Sequence, residues 1–191
     1  MRFGVVGCGR ISHKHFDALQ QKMTGGELIA VCDTREDRRN AAAKKFNVPS
    51  YNDYHDMMRS HPELDVVSVL TPSGLHAEHV VDLSQYKKHI LVEKPMALNP
   101  TDARRMVQAC KENGIRLFVV KQNRTNPPIV LVREALDDGH FGKLVLGTTR
   151  VRWCRKQDYY DQDQWRGTKK LDGGVIYNQA SHHVDLLSWL M

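Results

Sequence analysis

Short apolar runs alternate with segments of helical periodicity along the first two thirds of the chain. The apolar runs are β-branched and carry few polar residues, so they predict buried strands at residues 2–6, 28–32, 66–70, 90–92 and 117–120. Helical spacing predicts helices at residues 11–23, 35–46, 54–60, 76–84 and 100–113. Asn99, Pro100 and Gly114 mark the ends of the last helix clearly. This alternation is typical of βαβ units that close a parallel sheet, and it predicts an α/β fold.

The pattern changes near Gln122. The segment Thr125-Asn126-Pro127-Pro128 cannot continue a central strand, and its prolines favour a turn into a new helix. We predict a helix at residues 128–138, a turn at Asp138-Gly139, a strand at 143–153 and, after a polar loop, a helix to the last residue. We therefore expect a first domain at residues 1–122 and a second at 123–191. A single strand has nothing to pair with, so we expect the second domain to be incomplete and the protein to be truncated.

The composition is that of an ordinary globular protein, with 41% hydrophobic and 26% charged residues among 191. The net charge of +6 is spread along the chain without a basic stripe, which favours an anionic small substrate over nucleic acid. The four cysteines form no C-x-x-C pair, which argues against a zinc site or a disulfide framework and suits a reducing compartment. The first apolar run is too short for a signal peptide or a membrane span. We therefore expect a cytoplasmic protein without a membrane partner.

A glycine-rich turn, Gly7-Cys8-Gly9-Arg10-Ile11-Ser12, follows the first predicted strand and opens the first predicted helix. Backbone amides at a helix start bind a pyrophosphate only if it can approach closely, and side chains at the two glycine positions would block that approach. Ser12 stands where the dinucleotide fingerprint has a third glycine, so we expect the helix to lie slightly further from the strand. The turn predicts a Rossmann domain. We assign its cofactor contacts to Gly7, Gly9, Arg10 and Ile11.

Asp33 ends the second predicted strand, about 20 residues beyond the glycines. A carboxylate there accepts hydrogen bonds from a ribose diol and repels a 2′-phosphate, which favours NAD over NADP. Arg35 leaves NADP open as an alternative. A simpler interpretation also stays open, in which the glycines serve a tight turn and Asp33 caps the next helix.

Polar segments follow the strands predicted at residues 66–70 and 90–92. They are Thr71-Pro72-Ser73-Gly74-Leu75-His76 and Glu93-Lys94-Pro95. The carboxyl ends of parallel strands face the ligand crevice, so we assign to the nicotinamide end of the cofactor Thr71, Pro72, His76, Glu93 and Lys94. A lysine there can hydrogen-bond the alcohol that loses hydride, which makes Lys94 the chief catalytic candidate. The alternative is a surface ion pair between Glu93 and Lys94.

Three segments together resemble the Gfo/Idh/MocA oxidoreductases: residues 7–11, the Glu93-Lys94-Pro95 triplet and residues 173–186. The resemblance covers the whole chain. It implies a Rossmann parallel sheet followed by the start of an α+β domain with an open-faced antiparallel sheet. It also implies hydride transfer between NAD(P) and a sugar or cyclitol hydroxyl, and a homo-oligomeric full-length form.

In that family the late motif carries an acidic residue, a histidine four positions on and an aspartate three further. Alignment on Asp185 puts the catalytic histidine at His182 and the acidic position at Asn178. Spacing of four places both on one helix face. The resemblance makes His182 the base that removes the hydroxyl proton, for which a histidine is suited at neutral pH. Asn178 cannot ionise and is expected to orient the substrate; the alternative for His182 is a helical histidine in contact with solvent.

Further segments, at residues 121–128, 159–162, 165–168 and 178–182, resemble a subgroup, the bacterial UDP-N-acetylglucosaminuronate 3-dehydrogenases of surface-polysaccharide synthesis. Asn178 matches this subgroup. The resemblance implies oxidation at C3 of a UDP-linked N-acetylated uronic acid. It implies that Gln122, Trp165 and Arg166 contact the cofactor and that His15 and Arg124 contact the sugar acid or the diphosphate. An aromatic wedge in a loop and solvated charges are the alternatives.

Other functions stay open from the sequence. An inositol or free-sugar dehydrogenase would keep the family and change the substrate, whereas a regulatory NAD-binding module would need neither Lys94 nor His182. The histidine pairs His13/His15 and His182/His183 lack a metal ligand set, and hydride chemistry needs no metal, so we expect none. Because family members continue beyond residue 191, we expect this chain alone to bind NAD and to turn over little substrate.

Overall fold

A six-stranded parallel sheet forms the first part of the protein. The structure is a computed structural model that describes residues 1–20 and 25–191. Its strands are β1 (Arg2–Val6), β2 (Glu27–Cys32), β3 (Ser50–Tyr51), β4 (Val66–Val69), β5 (His89–Val92) and β6 (Leu117–Val119). They lie in the order β3-β2-β1-β4-β5-β6, and the neighbouring strands run parallel. The chain order reverses between β1 and β4, which is where open α/β sheets bind their ligands.

Five helices connect these strands: α1 (Ser12–Gln20), α2 (Glu36–Phe46), α3 (Tyr54–Ser60), α4 (His76–Ser84) and α5 (Pro100–Glu112). The five strands and five helices predicted for this part are confirmed, with ends that differ by a few residues. The final part of the helix predicted at 11–23 lies outside the described residues. Strand β3 was not predicted, because two residues make no apolar run that a sequence pattern could mark.

Successive residues of the central strands enter two different cores, because side chains alternate across a strand. Val5 and Val31 pack with Phe16 of α1 and Ala42 of α2. The adjacent strand residues Val6, Ala30 and Cys32 point to the other face of the sheet. There they pack with apolar side chains of α3, α4 and α5, namely Met57, Val80, Leu83 and Met106. Helices therefore cover both faces of the sheet. This explains why the strands carry so few polar residues.

Helix α5 shows the predicted end signals. The side-chain oxygen of Asn99 accepts a hydrogen bond from the Asp102 N–H at 2.8 Å, and Pro100 occupies the first helical turn. Gly114, just past the end, has φ +67°, a left-handed conformation that glycine adopts without strain. With 13 residues α5 is the longest of the described helices. None of the helices within the described ranges is long and apolar enough to cross a membrane.

Residues 120–191 form a second unit, and residues 1–119 the first. The second unit contains a 3₁₀ turn (Gln122–Thr125), α6 (Pro127–Asp137), α7 (Gln157–Asp161), a π-helical turn (Ile176–Ala180) and α8 (Ser181–Leu190). The helix predicted at 128–138 and the final helix are confirmed. Helix α7 was not predicted, since it is a single short turn within a polar loop.

The strand predicted at residues 143–153 is wrong. These residues are all described, and none belongs to a strand. Val145 and Leu146 are 87% and 84% exposed, so the alternating pattern does not bury one face here. A strand is stable only when another strand pairs with its backbone, and the described residues of this unit contain none.

Candidate active site

The glycine turn lies between the end of β1 and the segment that follows β4. Gly7 has φ +102°, and a Cβ there would lie 2.8 Å from the backbone C and O of Leu70. A Cβ at Gly9 would meet, among the described atoms within 4 Å, only Nη1 of Arg38 at 3.6 Å. The fold therefore requires glycine at position 7, whereas position 9 leaves open space beside the start of α1. A pyrophosphate needs this kind of space, so the turn fits a dinucleotide.

The remaining residues of the turn shape its entrance. Ser12, in place of a third glycine, is buried, and its hydroxyl donates to the Gly9 carbonyl at 2.7 Å. Arg10 and Ile11 are exposed at the start of α1. Both are therefore accessible to a ligand at this helix end.

Asp33 follows β2 and holds the glycine turn in place. Its Oδ2 accepts a hydrogen bond from the Cys8 N–H at 2.7 Å, and its Oδ1 accepts one from the Arg35 N–H at 2.8 Å. The carboxylate thus binds backbone N–H groups on both sides, but it does not cap α2, whose N-cap residue is Arg35 and has no side-chain cap hydrogen bond. Each carboxylate oxygen can accept a second hydrogen bond, and Asp33 is half-buried, so a ribose diol can still be accommodated. The guanidinium of Arg35 lies 2.6 Å from Asp37.

The histidine that opens α4 is buried between the segments that follow β4 and β5. The His76 ring is 1% exposed, with Nδ1 2.8 Å from the Pro95 carbonyl oxygen and Nε2 2.8 Å from that of Thr71. Burial lowers the pKa of His76, although both carbonyls act in the opposite direction. His76 thus joins the segments after β4 and β5, and its contact with the cofactor stays a prediction. Thr71 and Pro72 remain partly exposed at the end of β4.

Glu93 forms a buried contact with His15. The carboxylate is 6% exposed; its Oε1 lies 2.9 Å from Nε2 of His15, and its Oε2 accepts the Lys94 N–H at 3.0 Å. Burial raises the pKa of Glu93, but the hydrogen bond and charge of His15 and the N–H and charge of Lys94 outweigh it, so the pKa lies below its usual value. The carboxylate thereby holds the backbone at Lys94, which is itself partly exposed at the carboxyl end of β5. Sequence reasoning missed the contact because the partners are 78 residues apart.

In the second unit the two neighbouring histidines have different surroundings. His182 is 9% exposed, and its Nε2 lies 3.5 Å from Nε2 of Gln122, which is long for a hydrogen bond. The His183 ring instead meets Trp153 edge-on, with ring centroids 5.2 Å apart. Asn178, also buried, lies in the π-helical turn. The spacing argument assumed a continuous α-helix, so this local geometry differs from the prediction.

Trp165, Arg166 and Asn178, which the sequence predicts to contact the cofactor or the substrate, lie in one cluster of side chains. The Arg166 guanidinium lies over the rings of Tyr159 and Trp165, at 4.6 Å and 4.8 Å. Asn178 donates from Nδ2 to the buried carboxylate of Asp172. Sequence reasoning missed Tyr159 and Asp172 as members of this cluster, because side-chain contacts through irregular loops leave no periodic signal.

Arg124 is engaged within the second unit. Its Nε and one terminal nitrogen donate to the two oxygens of Asp185 at 2.9 Å and 2.7 Å, and Lys121 lies 3.3 Å from the same carboxylate. Burial raises the pKa of Asp185, but the two cations outweigh it and the pKa lies below its usual value. The structure thus gives Arg124 an internal partner. Its contact with a substrate stays a prediction.

The sheet reversal, the glycine turn before α1 and the carboxylate after β2 define a dinucleotide-binding protein with a Rossmann fold. Residues 1–121 match the family model described as the GFO/IDH/MocA oxidoreductase family, NAD-binding Rossmann fold, and residues 129–191 match the GFO/IDH/MocA C-terminal domain. The chain belongs to the GFO/IDH/MocA oxidoreductase family. This confirms the predicted family, the Rossmann domain and NAD as its cofactor.

Several solved and curated proteins are similar to the chain over its whole length. The structure of the WlbA dehydrogenase from Bordetella pertussis, in complex with NADH and UDP-GlcNAcA, is 44% identical with a TM-score of 0.95 and covers 100% of this chain and 55% of that chain. The WlbA dehydrogenase from Chromobacterium violaceum, in complex with the same two ligands, is 41% identical with a TM-score of 0.95 and the same coverage. The myo-inositol 2-dehydrogenase of Thermotoga maritima is 30% identical over 100% of this chain and 55% of its own length. The chain spans about half the length of these relatives.

Proposed function

We propose that the protein oxidises the C3 hydroxyl of a UDP-linked N-acetylated uronic acid to a ketone, with NAD as the oxidant. The observation that carries this proposal is the 44% identity over the whole chain to a WlbA dehydrogenase whose structure contains NADH and UDP-GlcNAcA. The similarity to a myo-inositol 2-dehydrogenase supports the broader class, a dehydrogenase of sugar or cyclitol alcohols.

In the proposed reaction the substrate loses two hydrogens. NAD, when bound, accepts the hydride from the carbon that carries the hydroxyl. The hydroxyl proton passes to the imidazole of His182, so a ketone, NADH and one proton result. Lys94 donates a hydrogen bond to the reacting oxygen, and its backbone position at the end of β5 is supported by the Glu93 carboxylate at 3.0 Å from its N–H.

The other assigned residues bind the two ligands. The backbone at Gly7 and Gly9 binds the pyrophosphate, and Asp33 accepts hydrogen bonds from the adenosine ribose. The open space at Gly9 and the partly exposed Asp33 carboxylate support these assignments. We assign further cofactor contacts to Arg10, Ile11, Thr71, Pro72, Gln122, Trp165 and Arg166. We assign substrate contacts to Asn178, His15 and Arg124.

The role of Lys94 is tested by replacing it with methionine, which keeps most of its length and removes the charge. We expect kcat to fall roughly 10²–10⁴-fold while the Kd for NADH stays nearly unchanged. Lys111→Met, at an exposed position in the last turn of α5, is the matched control and should retain both values. An equal loss of turnover and of NADH affinity in Lys94→Met would contradict the catalytic role.

The substrate is tested by product analysis with UDP-N-acetylglucosaminuronate, myo-inositol and a free sugar. NADH formation with a C3 ketone from the nucleotide sugar is the expected result. Turnover of inositol alone would refute the proposed substrate and retain the dehydrogenase class, whereas tight NADH binding without any turnover would favour a regulatory module. The assay compares this chain with a chain extended to the length of its relatives.

A further inference from the structure

The carboxylate of Asp172 is buried in the second unit, and the proposed reaction gives it no role so far. The residue is 3% exposed and lies between α7 and the π-helical turn. Its Oδ2 accepts the Gly167 N–H at 2.8 Å, and its Oδ1 accepts a hydrogen bond from Nδ2 of Asn178. One side chain thus joins the turn next to Trp165 and Arg166 to the turn that carries Asn178.

We propose that Asp172 is a positioning residue that sets the direction of the Asn178 amide. A carboxylate accepts hydrogen bonds and does not donate them, so it selects the orientation in which Nδ2 of Asn178 points to Asp172 and Oδ1 points away. That Oδ1 lies 3.4 Å from Nε2 of Gln179. The inference rests on the proposed function, in which Asn178 orients the substrate.

The network beyond Asn178 follows the same direction. Nε2 of Gln179 also donates to the Tyr159 hydroxyl at 3.0 Å, and its Oε1 accepts from the Arg155 guanidinium at 3.2 Å and 3.1 Å. With Oε1 committed to a cation, the Gln179 amide has one favourable orientation. Both ends of the chain of contacts, the Asp172 carboxylate and the Arg155 cation, therefore support the same orientation of Asn178.

The substitution Asp172→Asn separates this role from packing. Asparagine has nearly the same shape, and its carbonyl oxygen can still accept the Gly167 N–H. The NH₂ group introduced at position 172 would then face the NH₂ group of Asn178, and two donors cannot bond to each other. Asn178 resolves this conflict only by rotating its own amide by half a turn. We expect the variant to retain the fold, to lose only the long 3.4 Å contact between Asn178 and Gln179, and to reverse the hydrogen-bonding groups that Asn178 presents.

The partner substitution Asn178→Asp creates the opposite conflict, because two carboxylates then lie in contact in a buried place. In the double variant, which combines Asp172→Asn with Asn178→Asp, the introduced amide donates to the introduced carboxylate and still accepts from the Gly167 N–H. The pair is then complementary again. Asp161→Asn, at an exposed position of α7, is the matched control for the loss of one carboxylate.

The experiment measures kcat and KM with UDP-N-acetylglucosaminuronate, the Kd for NADH and the urea midpoint for all four variants. We expect Asp172→Asn to keep the urea midpoint and NADH affinity of Asp161→Asn while kcat falls about 10- to 100-fold, more than KM rises. We expect Asn178→Asp to lower both the midpoint and kcat, and the double variant to recover at least about tenfold in kcat from it. Unchanged kcat and KM in Asp172→Asn would overturn the proposal. Losses of kcat that merely follow the urea midpoint would overturn it as well.

The urea midpoints need no substrate, so they distinguish this inference from the proposed function. If the unmodified protein does not turn over the nucleotide sugar, the proposed substrate has failed and the midpoints decide alone. A double variant that regains the stability lost in Asn178→Asp supports the directed contact. A double variant that is no more stable than Asn178→Asp overturns it.

Discussion

Replacing Gly7 by alanine should destabilise the first unit, whereas the same replacement at Gly9 should leave its stability nearly unchanged and weaken NADH binding. At Gly7 the new Cβ would lie 2.8 Å from the backbone C and O of Leu70 and 3.0 Å from the Thr71 nitrogen. These backbone atoms cannot rotate away, because the Leu70 N–H is hydrogen-bonded to the Val6 carbonyl at 2.8 Å. The overlap should cost about 1–3 kcal/mol, and the backbone strain at φ +102° a further 1–3 kcal/mol or so.

Two control variants divide this loss into its causes. Gly114→Ala has φ +67° with no described atom within 4 Å of the new Cβ, so it measures the cost of a positive φ without an overlap. The excess loss in Gly7→Ala over Gly114→Ala then measures the close approach of the turn to the segment after β4, together with the greater backbone strain of φ +102° compared with +67°. Gly9→Ala should change the unfolding free energy by no more than about 0.5 kcal/mol. Its methyl group would stand in the space proposed for the pyrophosphate, so the Kd for NADH should rise about tenfold or more, which corresponds to roughly 1.4 kcal/mol.

Urea unfolding followed by far-UV circular dichroism gives the unfolding free energies. Tryptophan fluorescence would not report on the first unit, because the three tryptophans, Trp153, Trp165 and Trp189, all lie in the second unit. Titration calorimetry with NADH gives the Kd. The reasoning is refuted if Gly7→Ala is no less stable than Gly114→Ala. It is refuted for the cofactor site if Gly9→Ala binds NADH as tightly as the unmodified protein.

Three further measurements test the charged contacts. Asp33→Asn removes the charge that disfavours a 2′-phosphate, so the ratio of the Kd values for NADPH and NADH should fall about tenfold, and an unchanged ratio would contradict the assignment of the ribose site. The pKa of Glu93 is lower in the folded protein than its usual value of 4.5, so its ionised contacts stabilise the fold above that value and are lost as the pH falls through the folded pKa. The urea midpoint of the unmodified protein should therefore exceed that of Glu93→Gln at neutral pH, and this difference should shrink below about pH 5. A difference that stays constant with pH would argue against the pair with His15. Asp185→Asn should cost the second unit about 1 kcal/mol, because Arg124 loses a two-point carboxylate contact, and tryptophan fluorescence can follow this loss. The control is Asp137→Asn, which removes an exposed partner of Arg133 and should change the urea midpoint little. Equal losses of stability in the two variants would show that the contact between Asp185 and Arg124 stabilises the second unit no more than an exposed ion pair does.

The sequence by itself determined the α/β fold, the end signals of α5 and the glycine turn at which we propose that the dinucleotide binds. These features depend on neighbours in the chain: buried strands show as apolar runs, Asn99 caps the helix that begins next to it, and Gly7 and Gly9 belong to one turn. Because such interactions span only a few residues, a local pattern records them.

Only the tertiary structure decided which of the other expected features exist and what surrounds each site residue. The alternating residues 143–153 form no strand, since a strand depends on a partner that a local pattern does not contain. Two chain segments far apart in sequence bring Glu93 to His15, and an irregular loop brings Asp172 to Asn178. Packing likewise places both ring nitrogens of His76 against the backbone carbonyls of two separate segments. These contacts depend on how the folded chain packs, which residue spacing does not reveal.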